Sequence, residues 1–457
     1  MVVRIHLRRQ HGFTLIELMV AMVLGLLVAA GIVTVFASTS SSNKAQTQLA
    51  RLQEEGRFAI ARLSTDLRMA NGQYCTNTGG VAKPGSGGTY LDHLRTPKVY
   101  AKNLIGSAGA VSGALGDVTT AWGATSAVTY PGAPTTSYSM PSFLFMRGYD
   151  CTLTACTPVD PNTSIATIPA MGKTLGKRVL GSDVITVRYV NPSSGWAIGG
   201  AGNSTIATSS SVASITSITL VQGSGEPPLT NFANGDLAML ADCSNAQIFA
   251  ATYASATGIL TPDATKNFTD SSPAAQQPES APRLFNVNRD FQTVTYYLKV
   301  VSVNNNNAAP FTGALMRRVN GGAANAGHGG SEDELVRGIE RMDFRYAVQD
   351  SAGNTSLLRA NDVDASTSCP PSELSAVTSV GCLWRGIKSI EVSILMDGQV
   401  PLYTLADNDM FYSYSADTNP GLLAPSGHAI KPSDQGFPDQ MLRREFNALI
   451  AVRNYNP

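Results

Sequence analysis

The sequence predicts an α+β fold: one long N-terminal helix, apolar in its first half, packed on a β-rich C-terminal domain with long insertions. Three observations carry this expectation. An apolar run extends from Phe13 to Ala37 and holds one ionisable side chain, Glu17. Apolar residues then recur at spacings of three and four as far as Leu67. From Thr76 onward the spacing drops to two, in short segments separated by tracts of Gly, Ser, Thr and Pro.

The first element is a short basic leader, residues 1–12, with Arg4, Arg8, Arg9, His6 and His11, ending at Gly12. Residues 13–37 follow as the apolar run; at about 1.5 Å per residue they make roughly 37 Å of helix, enough for a bilayer core of about 30 Å. A carboxylate near the centre of such a segment costs about 2.5–3.5 kcal/mol. The run offers Glu17 no evident partner, so one is expected outside the chain. Ser38 to Asn43 is a polar break where the chain would leave the membrane. Helical periodicity resumes at Leu49, Leu52, Gly56, Ile60, Leu63 and Leu67. Between them Arg51, Glu54, Glu55, Arg57, Arg62, Asp66 and Arg68 make an alternating-sign polar face. Asn71-Gly72 supplies the stop. The expected units are therefore the leader 1–12, the membrane-spanning half 13–37, the amphipathic half 38–71 and the β-rich globular domain 72–457.

Within the last unit, period-two alternation predicts five strands. Ile185, Val187 and Tyr189 share a face in one; Val294, Tyr296, Leu298 and Val300 do so in the next. Met342, Phe344, Tyr346 and Val348 mark a third, and Ile390, Val392, Ile394 and Met396 a fourth. Phe446, Ala448, Ile450 and Val452 mark the last. Asn234-Gly235 reads as a turn into a further strand at Leu237–Leu240. The tracts 76–140, 191–232, 253–285, 349–383 and 397–440 are too long for plain connections, and some should carry small strands of their own.

Composition narrows the class. The chain has 457 residues, 43% of them apolar, so it can bury a sizeable core. Formal charge is zero, and loss of Arg4, Arg8 and Arg9 would leave a chain near −3 (0 − 3). No basic excess points to nucleic acid as the main partner. Six cysteines, Cys75, Cys151, Cys156, Cys243, Cys369 and Cys382, are an even number that suits disulfides in an exported chain. Six cysteines allow 15 connectivities; Cys151–Cys156 and Cys369–Cys382 each close a short loop, so local pairs are expected, and Cys75 and Cys243 would then pair across the domain.

The stretch Gly12-Phe13-Thr14-Leu15-Ile16-Glu17 resembles the processing motif of type IV prepilins and type II secretion pseudopilins. The resemblance implies cleavage after Gly12 by a prepilin peptidase and methylation of the new terminus, Phe13. It also implies that Glu17 pairs with the terminal amine of a neighbouring subunit, which would supply the missing partner. A conventional signal peptide has an apolar core of about 7–15 residues; Val35-Phe36-Ala37 before Ser38 could pass for its cleavage site, but this run is longer and contains Glu17. A single-span anchor explains the length but neither Gly12-Phe13 nor the carboxylate.

A second resemblance is dispersed through the C-terminal half. Tyr296-Tyr297-Leu298, Leu315-Met316-Arg317-Arg318 and Glu334 to Met342 are similar, in that order, to minor pilins of the PilW type. So are the strand at 387–396 and the ending Arg443-Arg444-Glu445-Phe446 through Val452-Arg453-Asn454. The resemblance implies a type IV pilin-like subunit stored in the inner membrane, with its C-terminal domain in the periplasm, and later carried in an extracellular pilus. It would prime pilus assembly at or near the tip, with other minor pilins, the major pilin, the prepilin peptidase and the inner-membrane assembly platform as partners. Twitching motility and cell adhesion are the processes implied. Two rivals are a J-type type II secretion pseudopilin and an adhesin or DNA-uptake module mounted on a pilin stem.

No catalytic set is evident, and the chain is read as a non-enzyme without cofactor. It has no Gly-x-Ser-x-Gly elbow, His-Glu-x-x-His or phosphate loop. His328, inside Ala326-Gly327-His328-Gly329-Gly330, is expected on a mobile loop. Asn361-Asp362-Val363-Asp364 and Asp407-Asn408-Asp409 could offer oxygens to Ca²⁺, but both lack the glycine and distal Glu of an EF-hand; solvated turns account for them. Arg443-Arg444 reads as a solvated or acid-paired edge.

Overall fold

A computed structural model describes residues 12–72, 74, 82–85, 88–91, 97–102, 104, 122–123, 132–162, 168–210, 213–242, 245–276, 281–304, 306–349, 354–366, 381–401, 430, 432–438 and 441–453. Helix α1 runs without interruption from Leu15 to Leu67. It passes straight through the polar stretch Ser38–Asn43. Hydroxyls in such a helix find acceptors on the preceding turn: Thr34 Oγ1 donates to the Ala30 and Gly31 carbonyls, and Thr47 Oγ1 to that of Asn43. After Leu67 the chain tightens through turns, and Asn71 takes the left-handed conformation at φ 63°. Its amide donates to the Arg188 carbonyl at 3.0 Å, so the helix terminus is fastened to the β-domain.

The two halves of α1 differ in what covers them. Up to Phe36 the apolar side chains lie open, from Phe13 at 88% exposure to Phe36 at 75%. Beyond that, Leu52, Ala59, Leu63 and Leu67 are buried. They enter a core shared with Ile390, Val392, Ile394 and Met396. Gly56 lies on the same stripe for a steric reason: a Cβ there would be 2.6 Å from the Phe446 ring. Leu49, expected on this stripe, is exposed, and Gln48 takes the inward position.

The helix rests on a four-stranded antiparallel sheet ordered Thr355–Leu358, Ile339–Gln349, Ile387–Pro401, Met441–Ala451. A six-stranded sheet adjoins it, ordered Ser331–Arg337, Phe311–Val319, Phe291–Ser302, Val184–Val190, Met146–Cys151, Cys156–Thr157. The chain crosses from one sheet to the other at Gly338, whose φ of +83° is a region that residues with a Cβ rarely adopt. Buried Asp183 stitches the sheets together, accepting from the Cys151 amide at 2.8 Å and the Phe344 amide at 3.0 Å. Each strand expected from alternation is present, the last beginning five residues earlier than its first face residue, at Met441 rather than Phe446.

Residues 191–290 form an excursion. Val190 and Phe291 are direct cross-strand partners, so the described residues between them leave the six-stranded sheet and return to it. The excursion builds most of a third sheet, from Trp196–Ala197, Thr205–Thr208, Ile215–Thr219, Leu237–Ala241, Ala246–Ala254, Ile259–Pro262 and Arg283–Asn286. The tracts 191–232 and 253–285 thus carry small strands, as expected. Period-two geometry sends alternate residues to opposite faces. Leu237, Met239 and Ile248 join the main core, whereas Ala238, Leu240 and Phe249 join a second core around Trp196 and Phe232. With one face committed to the main core, this sheet is not an independent body.

Cys151 and Cys156 are joined in a disulfide. Cys382 is also disulfide-bonded, to a partner outside the described residues. Cys75, Cys243 and Cys369 lie outside them too, as does Asp407-Asn408-Asp409.

Candidate assembly site

At the N-terminal end, Thr14 caps α1 and Glu17 sits one turn in. The Glu17 amide donates to Thr14 Oγ1 at 3.3 Å, and Glu17 Oε2 accepts from the Thr14 amide at 3.1 Å and the Thr14 hydroxyl at 3.0 Å. This reciprocal capping box corrects the expectation that Glu17 finds no partner in the chain. The signal was in the sequence: Thr14-x-x-Glu17 is the capping-box spacing ahead of an apolar run. Gly12 and Phe13 precede the helix and are exposed, with nothing within 4 Å of the place a Gly12 Cβ would take.

At the other end, Asp66 holds the helix to the β-domain. Its carboxylate accepts from Tyr189 at 2.7 Å, Tyr296 at 2.5 Å and Arg317 Nε at 2.7 Å. Asp66, expected on the alternating-sign polar face, is 5% exposed and faces the β-domain instead. Burial alone would raise its pKa; Arg317 and the two phenols outweigh burial and hold it below the usual carboxylate range. A helical wheel alone could not find this residue, because it sits at the margin of the apolar stripe and its partners lie 123 to 251 residues away.

A second buried charge group lies where the end of strand Ile387–Pro401 meets the helix. Arg443 grips Glu340 through Nε at 2.6 Å and Nη2 at 2.9 Å, so this arginine is acid-paired, whereas Arg444 is exposed. Asp397 accepts from Thr312 at 2.6 Å and from the Gln399 amide at 2.6 Å. Burial and the neighbouring Asp397 carboxylate push Glu340 up to about 8 in spite of Arg443. Gln399, at φ +59°, then reaches α1, accepting from Arg51 and donating to Glu55.

The remaining sequence candidates have structural roles. His328 is held rather than loose: Nδ1 faces Asn325 Oδ1 at 3.2 Å, and Nε2 lies 3.6 Å from Asp236. Asn361 to Asp364 lie in the short helix Ala360–Ala365 rather than in a solvated turn. Asp364 accepts from Trp384 Nε1 at 3.1 Å and faces Arg147 at 3.4 Å. Among the described residues no group of His, Cys, Asp and Glu has a metal-holding arrangement.

Two family matches meet this geometry. Residues 7–33 match the prokaryotic N-terminal methylation motif, and residues 295–454 match PilW, the type IV pilus-assembly protein W family. Across these two segments the chain is similar to PilW-type pilus-assembly proteins and to the methylated N-terminus of type IV pilins. The PilW-matched segment contains Tyr296, Arg317, Glu340, Asp397 and Arg443, the groups that fasten α1 or brace the strands beneath it. The excursion 191–290 lies outside both matched segments. No curated protein matches the chain. Among solved structures, a type IV-like pilin from Thermus thermophilus shares 12% identity across 49% of this chain and 85% of its own, with a TM-score of 0.17. That score is too low to bear on the fold, which stands on the elements described above.

Proposed function

We propose that this chain is a PilW-like minor pilin that waits in the inner membrane, primes type IV pilus assembly and enters the filament at or near its tip. The supporting observation is the asymmetry of α1: the C-terminal half is locked to the domain, whereas the whole apolar half is bare. Twenty-odd exposed apolar residues require cover, first by lipid and then by the helices of neighbouring pilins. The membrane–water boundary is placed near Ala37, with the β-domain on the periplasmic side before assembly.

Processing between Gly12 and Phe13 would free an amine one residue before Thr14, whose amide already contacts Glu17. In the stored subunit Glu17 is satisfied by this local cap. In the filament it exchanges the cap for the Phe13 amine of a neighbour, and a half-made ion pair in low dielectric enforces a fixed offset between subunits. The prepilin peptidase, the major and minor pilins and the assembly platform are the partners in this reading. A second reading, a pilus-mounted binding module, draws on the excursion 191–290, which has its own small core and lies outside the PilW-matched segment.

Mass spectrometry of sheared pili tests the proposal. A methylated Phe13 terminus in the pilus fraction is the expected result. A processed chain absent from pili but needed for secretion of folded proteins would point to a pseudopilin instead, and an intact leader would overturn the reading.

A further inference from the structure

Where α1 emerges beneath the β-domain, a groove of about 550 Å³ is lined by Phe36, Thr39, Ser40, Asn43, Lys44, Thr47, Gln48 and Val400. Its chemistry is graded. Phe36 and Val400, 75% and 47% exposed, supply apolar surface. Thr39, Ser40, Asn43 and Thr47 supply hydroxyls and an amide. Lys44 is the one charged lining residue, and it has no carboxylate partner among the described residues. Gln48, 6% exposed, closes the floor of the groove, its amide packed against Gly398.

Depth selects the occupant. Lys44 lies seven residues beyond Ala37, about 10 Å along the helix axis. The headgroup layer on each side of a bilayer core is about 5–7 Å thick. Helical side chains lean toward the N-terminus, which returns the Lys44 ammonium toward that layer. We infer that this groove binds the headgroup of an anionic phospholipid, with the phosphodiester on Lys44, Thr39 and Ser40, and the glycerol–acyl junction against Phe36 and Val400. The inference rests on the membrane-anchored reading above and specifies what the junction binds. It gives the bare span a lipid-set depth and orientation, because Val400 belongs to the strand Ile387–Pro401, which Gln399 ties to Arg51 and Glu55.

The test uses the full chain reconstituted in vesicles of phosphatidylcholine and phosphatidylglycerol with identical acyl chains. After extraction, the lipids retained per chain are counted by native mass spectrometry. Wild type should retain phosphatidylglycerol in excess of its share of the vesicle. Lys44→Gln, an exposed change that leaves folding alone, should cut that excess about fivefold, corresponding to about 1 kcal/mol for one basic group at an anionic surface. Arg57→Gln, about 30 Å from Ala37 along the helix, should leave it unchanged. Equal retention by wild type and Lys44→Gln overturns the site, as does an equal loss in Arg57→Gln, which would mean diffuse attraction. So does a photo-crosslinker at Thr47 that captures a second copy of the chain instead of lipid. Flotation with the vesicles reads the anchoring separately: a chain that does not float overturns the anchored reading and the site with it, whereas one that floats without a Lys44 effect overturns the site alone.

Discussion

Replacing Asp66 by alanine should undock the lower end of α1 from its domain without unfolding the domain. The carboxylate is 5% exposed and takes two phenolic hydroxyls and a guanidinium; the Arg317 side chain is 18% exposed. Truncating one partner of a buried pair costs about 3–5 kcal/mol, because the other charge is left without compensation. Arg317 keeps some contact with water, which favours the lower figure of about 3 kcal/mol. That corresponds to a local opening constant raised more than about 100-fold. Hydrogen exchange of the full chain in detergent, read at amides 59–70, measures this opening directly. Asp66→Asn should fall between wild type and alanine, since it keeps acceptors for the phenols and loses the charge for Arg317. In the double variant Asp66→Ala/Arg317→Met no uncompensated charge remains, so it should be less open than Asp66→Ala alone. Exchange within about threefold of wild type in Asp66→Ala would refute the idea that this cluster clamps the helix.

Acid should loosen the same clamp. Asp66 has a pKa held below its unfolded value of about 3.9, so its stabilisation is present above that pH and is lost as pH falls through the lower folded value. Glu340 has the opposite sign. Its pKa of about 8 exceeds the unfolded value, so its contribution is complete below about pH 4.5 and fades as pH rises toward 8. Glu340→Gln should flatten the decline in stability between pH 5 and 8, a slope of at most about 1.4 kcal/mol per pH unit, measured by denaturant titration. Gly313→Ala should be among the most damaging single-methyl changes, because its Cβ would lie 2.0 Å from the Ile339 carbonyl where the two sheets meet; loss of more than about 3 kcal/mol, or no folded chain, is expected by urea unfolding. Thr14→Val should weaken the cap by about 1 kcal/mol and still permit incorporation into pili, whereas Glu17→Ala should leave insertion and cleavage intact and deplete the chain from sheared pili. Equal incorporation of Glu17→Ala and wild type would count against the ion-pair account.

The sequence by itself determined what depends on near neighbours along the chain. The apolar run, the three-and-four spacing up to Leu67 and the alternation in segments such as Ile390 to Met396 each follow from helix or strand geometry over a few residues. The Thr14–Glu17 cap belongs to this class as well, legible from a spacing of three. Only the tertiary structure decided the rest, because it depends on which distant strands pair. The register of Val190 with Phe291 makes 191–290 an excursion rather than a second domain. That pairing, with Phe291–Ser302 against Phe311–Val319, also brings Tyr189, Tyr296 and Arg317 to one carboxylate, turning Asp66 from an apparent surface acid into the clamp on the helix. A charged side chain is placed inside or outside by the desolvation it suffers and the partners that offset it, and those partners come from the fold.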